Sequence, residues 1–184
     1  MKVEKMSMTS LRGFFGKLIR MSFYDLGKEK DTQVASYLVD VLADFAHTEK
    51  LYKIRGSEGK KLETVVEMIL DTLGGSQETS GWERDLRKYI GDFTLFMTGI
   101  FRDYVIRGSY LHYYINEGTR SYSLVSKFDL QTGKGNPRMF TRLSNEFEFY
   151  SGALDYMRKV YFHADTSGDP FSDFVPQNPR WIKH

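Results

Sequence analysis

A cluster of tyrosines and charged side chains near the middle of the sequence is the feature best suited to binding chemistry. Residues 110–122 combine aromatic rings with hydroxyl, imidazole, carboxylate and guanidinium groups, which can orient a bound molecule by hydrogen bonds. The candidate ligand-binding residues are Tyr110, His112, Tyr113, Tyr114, Glu117, Arg120 and Tyr122. They predict a pocket for a flat or apolar ligand. The alternative is an internal polar cluster that only fixes the packing, with Glu117 and Arg120 as partners of inward-turned tyrosine hydroxyls.

The loop at residues 131–136 and the helix predicted after it form a second candidate site. Asn136 followed by Pro137 indicates a helix start, where backbone amides without intrahelical partners favour anions. Three cationic side chains accompany these amides, namely Lys134, Arg138 and Arg142. The sequence therefore predicts an anion-binding site at this helix start.

Three residues with metal-ligand chemistry recur along the second predicted helix. Asp40, Asp44 and His47 have i, i+4, i+7 spacing, which puts them on one helix face. That face points away from the apolar stripe of the same helix, whereas the metal sites of helical bundles lie in the interior. We therefore predict no metal site and no catalytic residue, and the sequence identifies no cofactor. A metal-dependent bundle enzyme using Asp44, His47 or His112 is the alternative.

Charge is distributed unevenly along the chain. Residues 1–30 contain seven Lys or Arg and three acids, a net charge of +4, whereas the whole chain carries only +2. A basic N-terminal helix can dock on nucleic acid, with the basic turn at residues 55–61 as a second contact, or lie at a membrane interface. Because its Leu and Phe stripe matches those of the next two predicted helices, we expect this helix to complete the core. The sequence thus does not favour a nucleic-acid partner.

Apolar residues recur at helical spacing almost throughout the sequence. They predict six helices, at residues 9–24, 32–54, 60–73, 80–107, 109–128 and from 137 onward. The fourth has apolar residues on more than one face, which is typical of a helix at the centre of a bundle. The sixth has an apolar seam that steps by 3 and 4 residues, formed by Phe140, Leu143, Phe147, Tyr150, Leu154, Met157 and Tyr161. Such a seam predicts packing along a helix of the same chain, with a homodimer contact as the alternative.

Length and composition set the remaining expectations. With 184 residues, of which 41% are hydrophobic, the chain is long enough for a single domain with its own core. No run approaches the ~20 apolar residues that span a bilayer, no signal-peptide core is present, and the lack of cysteine favours the cytoplasm. We predict an all-α, single-domain bundle of about six helices over residues 1–184. Its N-terminus at 1–8 is predicted to be flexible, and an extended, proline-containing tail at 165–184 is predicted to pack on the body or on a neighbouring subunit.

The predicted function is that of a non-catalytic cytoplasmic helical protein, forming a homodimer, that binds a protein partner or a small ligand. The aromatic-rich fourth to sixth helices provide the contact. A metal-dependent helical-bundle enzyme and a nucleic-acid-binding protein using the basic N-terminal helix are the alternatives.

Overall fold

The computed structural model describes residues 8–46 and 80–161. These two stretches contain no strand and seven helices: α1 (Met8–Asp25), α2 (Thr32–Ala46), α3 (Ser80–Ile100), α4 (Arg102–Arg107), α5 (Leu111–Thr132), α6 (Pro137–Asn145) and α7 (Phe147–Tyr161). The predicted all-α fold is confirmed there. In the same stretches, no helix has the length and apolar character needed to cross a membrane. The predicted helix at 60–73, the second helix beyond residue 46, the N-terminus up to residue 7 and the tail at 165–184 lie outside the described residues.

Helix α3 lies at the centre of the bundle, as its sequence predicts. It packs against α2, α5 and α7, while α5 also packs against α6, and α1 packs against α2 and α7. Every residue of α3 from Ile90 to Ile100 is buried, including the polar side chains of Asp92, Thr94 and Thr98. Polar groups on the facing sides of α3 and α5 are therefore shielded from water and need partners inside the protein.

Two predicted helices are each interrupted at one residue, so the prediction of continuous helices is wrong at these points. Phe101 separates α3 from α4, and Glu146 separates α6 from α7. Their ψ angles, 31° and 26°, depart from the helical value. Each of these residues still makes an i to i−4 hydrogen bond, from Phe101 N to Met97 O at 3.1 Å and from Glu146 N to Arg142 O at 2.9 Å, and a new helix begins at the next residue. Because the apolar periodicity runs on across both breaks, the sequence carries no signal of the bend.

The apolar seam predicted for the sixth helix continues across the bend between α6 and α7. Its six residues from Phe140 to Met157 are all buried. Helix α7 packs against α1, α3 and α5 of the same chain. The seam therefore has the internal packing partners that its spacing predicts.

Helix α5 is longer than predicted and ends in a turn organised by Asp129. Gly133 closes the helix with a φ of 64°, and its amide donates to the Asp129 carbonyl. The predicted cap of α6 is confirmed, because Asn136 Oδ1 accepts a hydrogen bond from Met139 N at 3.2 Å, and Pro137 occupies the first turn. This turn fixes where the C-terminal end of α5 meets α6.

Helices α3, α5 and α7 approach one another closely at Gly118. A Cβ atom built on Gly118 would lie 2.3 Å from ring atoms of Phe147 and 2.6 Å from Thr94 Oγ1. Both neighbours are buried, so the helices must separate to accept even a methyl group. We expect Gly118→Ala to lower the free energy of unfolding, measured in urea, by ~1–3 kcal/mol despite the higher helix propensity of alanine.

Gly152 of α7 offers a matched control for this substitution. A Cβ atom built there has no atom within 4 Å outside its own helix backbone. Gly152→Ala should therefore leave stability unchanged or raise it by up to ~1 kcal/mol, because only the propensity term remains. Equal effects of the two substitutions would contradict the close approach at Gly118.

Candidate ligand-binding site

Asp92 of α3 is the acceptor for two tyrosines, of which Tyr122 is fully buried and Tyr37 is half-buried. Tyr37 of α2 donates to Asp92 Oδ1, and Tyr122 of α5 donates to the same oxygen at 2.8 Å. Lys88 Nζ contacts the other carboxylate oxygen at 2.7 Å. These contacts form a polar interior, which the sequence left open as the alternative to a pocket, but Tyr122 is held by an aspartate of α3 rather than by Glu117 or Arg120.

Burial raises the pKa of Tyr37 and Tyr122 well above their ordinary value, and the negative charge of Asp92 acts in the same direction. Both hydroxyls are therefore neutral donors in the folded protein. Tyr89 and Tyr150 also have raised pKa values, again mainly because of burial. These four phenols therefore stay protonated while the chain is folded.

Alkaline pH should therefore destabilise the fold through these tyrosines. The unfolded chain ionises its tyrosines near pH ~10, whereas the folded chain keeps the buried ones protonated. The stabilisation is complete below that pH and is lost as the pH rises above it. We expect part of the tyrosinate absorbance to appear only together with the loss of helical circular dichroism, and this coupled part to shrink in Tyr37→Phe/Tyr122→Phe. Ionisation of every tyrosine near pH ~10 with helicity unchanged would refute this.

Two further buried aspartates accept hydrogen bonds from residues of other helices. Asp31, at the start of α2, accepts from Tyr150 and from Arg142. Asp129 of α5 accepts two hydrogen bonds from Arg84, from Nε at 2.7 Å and from Nη2 at 3.1 Å, and a third from the Asn136 amide at 3.0 Å. These carboxylates are fully occupied by cross-links within the bundle.

The predicted anion site at the start of α6 is divided by these contacts. Lys134 and Arg138 are exposed, whereas Arg142 donates to Asp31. The loop directs its Asn136 amide to the carboxylate of Asp129, and the Asn136 side chain occupies the Met139 amide. An anion binding at this helix start would meet Lys134 and Arg138, whereas Arg142, although exposed too, is already paired with Asp31.

The seven predicted ligand residues occupy different environments. Tyr114 and Tyr122 are fully buried, Tyr110 and Tyr113 are half-buried, and His112 is exposed. The Tyr114 ring lies 6.1 Å from the Phe93 ring and 6.2 Å from the Tyr110 ring, measured between centroids. These rings fill the space between α3 and α5. Glu117 and Arg120 are the charged members of the set, and their surroundings decide whether a ligand site is present.

Three side chains between α3 and α5 have buried polar atoms whose hydrogen-bonding capacity is unfilled. They are Arg87 (Nε and Nη1), Glu117 (Oε2) and Ser121 (Oγ), and we refer to them as the α3–α5 polar cluster. Among the residues that the structure describes, none supplies a hydrogen-bond partner to these atoms. Arg87 is only 7% exposed and Ser121 is 0% exposed.

The Arg87 guanidinium is influenced by charged groups of α5 as well as of its own helix. Burial lowers the pKa of the Arg87 guanidinium, and the positive charge of Arg120 lowers it further. The negative charges of Glu117 and Glu83 oppose this effect. Arg120, which is not a member of the cluster, is exposed at the protein surface.

An arginine buried without an acceptor is an unusual arrangement in a folded protein. More than ~90% of buried polar groups have a partner, and an unfilled charged group costs more than a neutral one, for which ~1–3 kcal/mol is typical. The contrast with Arg84, one helical turn earlier on α3, is direct, because Arg84 is paired to Asp129 through two hydrogen bonds. The unfilled atoms are two hydrogen-bond donors on Arg87, an acceptor on Glu117 and a hydroxyl on Ser121. Each of them can bond to a polar group of a ligand.

Sequence reasoning missed Arg87 and Ser121, although the sequence held a signal for the first. Arg87 lies three residues before Ile90 and seven before Thr94, so it shares the buried face of a strongly apolar helix. A charged residue at a core position indicates a pairing or a function. Ser121 carries no comparable signal, because serine is common on either face of a helix.

Asp40, one of the three residues with metal-ligand spacing on the second predicted helix, forms an ion pair. Asp40 Oδ1 accepts from Arg12 Nε at 2.8 Å on the protein surface. His47 lies outside the described residues, and within 8–46 and 80–161 no three His, Asp or Glu side chains are grouped so as to hold a metal ion.

The α3–α5 polar cluster is thus assigned as a candidate site from the burial and contacts of its own residues. Of the known proteins compared with this chain, whether as family models, curated sequences or solved structures, none matches it.

Proposed function

We propose that this chain is a non-catalytic binding protein that holds a small polar ligand at the α3–α5 polar cluster. One observation carries the proposal: Arg87, Glu117 and Ser121 have buried polar atoms that no described residue satisfies. A bound molecule that filled these atoms would remove the cost of leaving them unpaired. Arg120, which was predicted from the sequence as a ligand residue, lies at the exposed side of the cluster.

We propose binding rather than catalysis at this site. Ser121 Oγ has no hydrogen-bond partner among the described residues, so no general base is in place to take its proton. His112, the histidine within the described stretches, is exposed on α5. A reaction at this site would need an acid–base pair that these contacts do not provide.

Cellular location and assembly are part of the same proposal. A sequence without cysteine suits the reducing cytoplasm, and we place the protein there. The protein partner and the homodimer predicted from the sequence stay predictions, because the α3–α5 polar cluster lies within one chain and needs neither.

Native mass spectrometry of the purified chain tests the proposal. We expect one small molecule per chain, retained after gel filtration from a small-molecule cell extract and released on denaturation. The amount of this species retained by Arg87→Met should be at least ~10-fold lower, because a charged hydrogen bond contributes ~1.5–3 kcal/mol. Arg20→Met, which removes an exposed arginine of α1, should retain it. The proposal fails if the wild-type chain retains no small molecule or if both variants retain it equally.

A further inference from the structure

The three unfilled side chains of the α3–α5 polar cluster differ in what they require from a ligand. The Arg87 guanidinium can only donate, and a buried guanidinium is best satisfied by a carboxylate or another oxyanion, which gives charge-assisted hydrogen bonds. Arg120 contributes a second positive charge close to the first. Two neighbouring arginines repel each other, and an anion beside them relieves that repulsion.

Glu117 requires the opposite kind of group. Its buried Oε2 atom accepts only, and no described residue donates to it. Ser121 lies four residues further along α5, which places it on the same helix face as Glu117. A ligand that satisfies this side of the cluster therefore needs an ammonium or hydroxyl donor directed at Glu117.

The ligand must also be small. Close to the cluster, α3 and α5 are nearly in contact, because a Cβ atom built on Gly91 of α3 would lie 2.6 Å from the ring of Tyr122 on α5. Helices packed this tightly leave no room for an extended molecule between them. The polar part of the ligand must be compact, and any larger substituent must point toward exposed Arg120.

We propose that the ligand is a small molecule in which an oxyanion lies next to a hydrogen-bond donor, as in an α-amino acid or an α-hydroxy acid. Its oxyanion contacts Arg87 with Arg120 alongside, and its ammonium or hydroxyl group contacts Glu117. This assignment rests on the proposed function, since it names the chemical class bound at the same site. A simple inorganic anion would satisfy Arg87 and leave Glu117 unfilled.

Isothermal titration calorimetry with matched probes tests the ligand class. The probes are the common L-α-amino acids, L-lactate as an α-hydroxy acid, and for each amino acid the acid without its amino group and the amine without its carboxyl group. We expect at least one amino acid or lactate to bind at least ~10-fold more tightly than the probe that lacks one of its two groups. Inorganic sulfate, which has no hydrogen-bond donor, serves as the single-anion probe and should bind at least ~10-fold more weakly than the best acid.

Two substitutions assign the two halves of the ligand. Arg87→Met should abolish binding of the best acid, whereas Glu117→Gln should reduce its advantage over the matched acid without a donor to less than ~3-fold. Arg20→Met is the control and should bind as the wild type does. The class is wrong if sulfate or a simple carboxylate binds as tightly as the best amino or hydroxy acid, or if no probe binds. Either outcome overturns the class alone, because retention of a different molecule in native mass spectrometry would still support the binding function.

Discussion

Asp92→Ala is expected to lower the free energy of unfolding by ~3–5 kcal/mol. The substitution leaves the hydroxyls of Tyr37 and Tyr122 without their acceptor, and Tyr122 is fully buried. Each buried group left unfilled costs ~1–3 kcal/mol, and the cavity left by the carboxylate adds to that loss. Loss of the Lys88 contact adds less to the destabilisation, because the Lys88 amine can turn toward water. Chemical denaturation followed by circular dichroism measures the change.

Substituting a partner of Asp92 should lower the free energy of unfolding by less than substituting Asp92 itself. Tyr37→Phe removes one donor and leaves Asp92 bonded to Tyr122 and Lys88, so we expect a loss of only ~0.5–1.5 kcal/mol. Asp40→Ala is the matched surface control. Its ion pair with Arg12 is exposed, and such pairs contribute at most ~1 kcal/mol. An Asp92→Ala variant no less stable than Asp40→Ala would show that Asp92 does not organise the interior.

Arg84→Met is the second substitution expected to have a large effect. It keeps an apolar stem beside the Phe140 ring, over which the guanidinium lies at 5.7 Å, but removes both hydrogen bonds to Asp129. The Asp129 carboxylate is 2% exposed and would keep only the Asn136 amide as an outside donor to its oxygens. Breaking a buried ion pair from one side typically costs ~3–5 kcal/mol, because a charge is left buried and unpaired.

The paired substitution Arg84→Met/Asp129→Asn separates this cost from the loss of packing. Asparagine removes the unpaired charge and keeps an oxygen for the Asn136 amide. We therefore expect the double variant to be more stable than Arg84→Met alone. If the double variant is less stable than the single one, the buried charge is not the source of the loss.

The helical fold could be predicted from the sequence because burial and helical period agree along most of the chain. The stripes of α1 and α2, the centrality of α3 and the cap at Asn136 all depend on residues a few positions apart. The bends at Phe101 and Glu146 could not be predicted, since apolar residues recur at helical spacing on both sides of each.

The interior contacts depend on how the helices pack, which the sequence does not specify. Asp92 meets Tyr37 across 55 residues and Tyr122 across 30. Tyr150 and Arg142 meet Asp31 across more than a hundred. The sequence therefore predicted a polar interior at the tyrosines but assigned its acceptor to the nearby Glu117 instead of to aspartates on other helices. Glu117 and Arg120 were found by proximity in sequence, whereas Arg87 joins them only through the packing of α3 on α5.

The central claim is that Arg87 serves a ligand and does not stabilise the fold. The free energy of unfolding of Arg87→Met tests this claim most directly. Methionine keeps a stem of similar length and removes a buried guanidinium whose Nε and Nη1 atoms have no acceptor among the described residues. In protein free of small molecules, measured by chemical denaturation beside Arg84→Met, we expect the free energy of unfolding to stay unchanged or to rise by up to ~2 kcal/mol. A loss of ~3 kcal/mol or more, matching that of Arg84→Met, would show that Arg87 is a structural pairing residue and would contradict the proposed site.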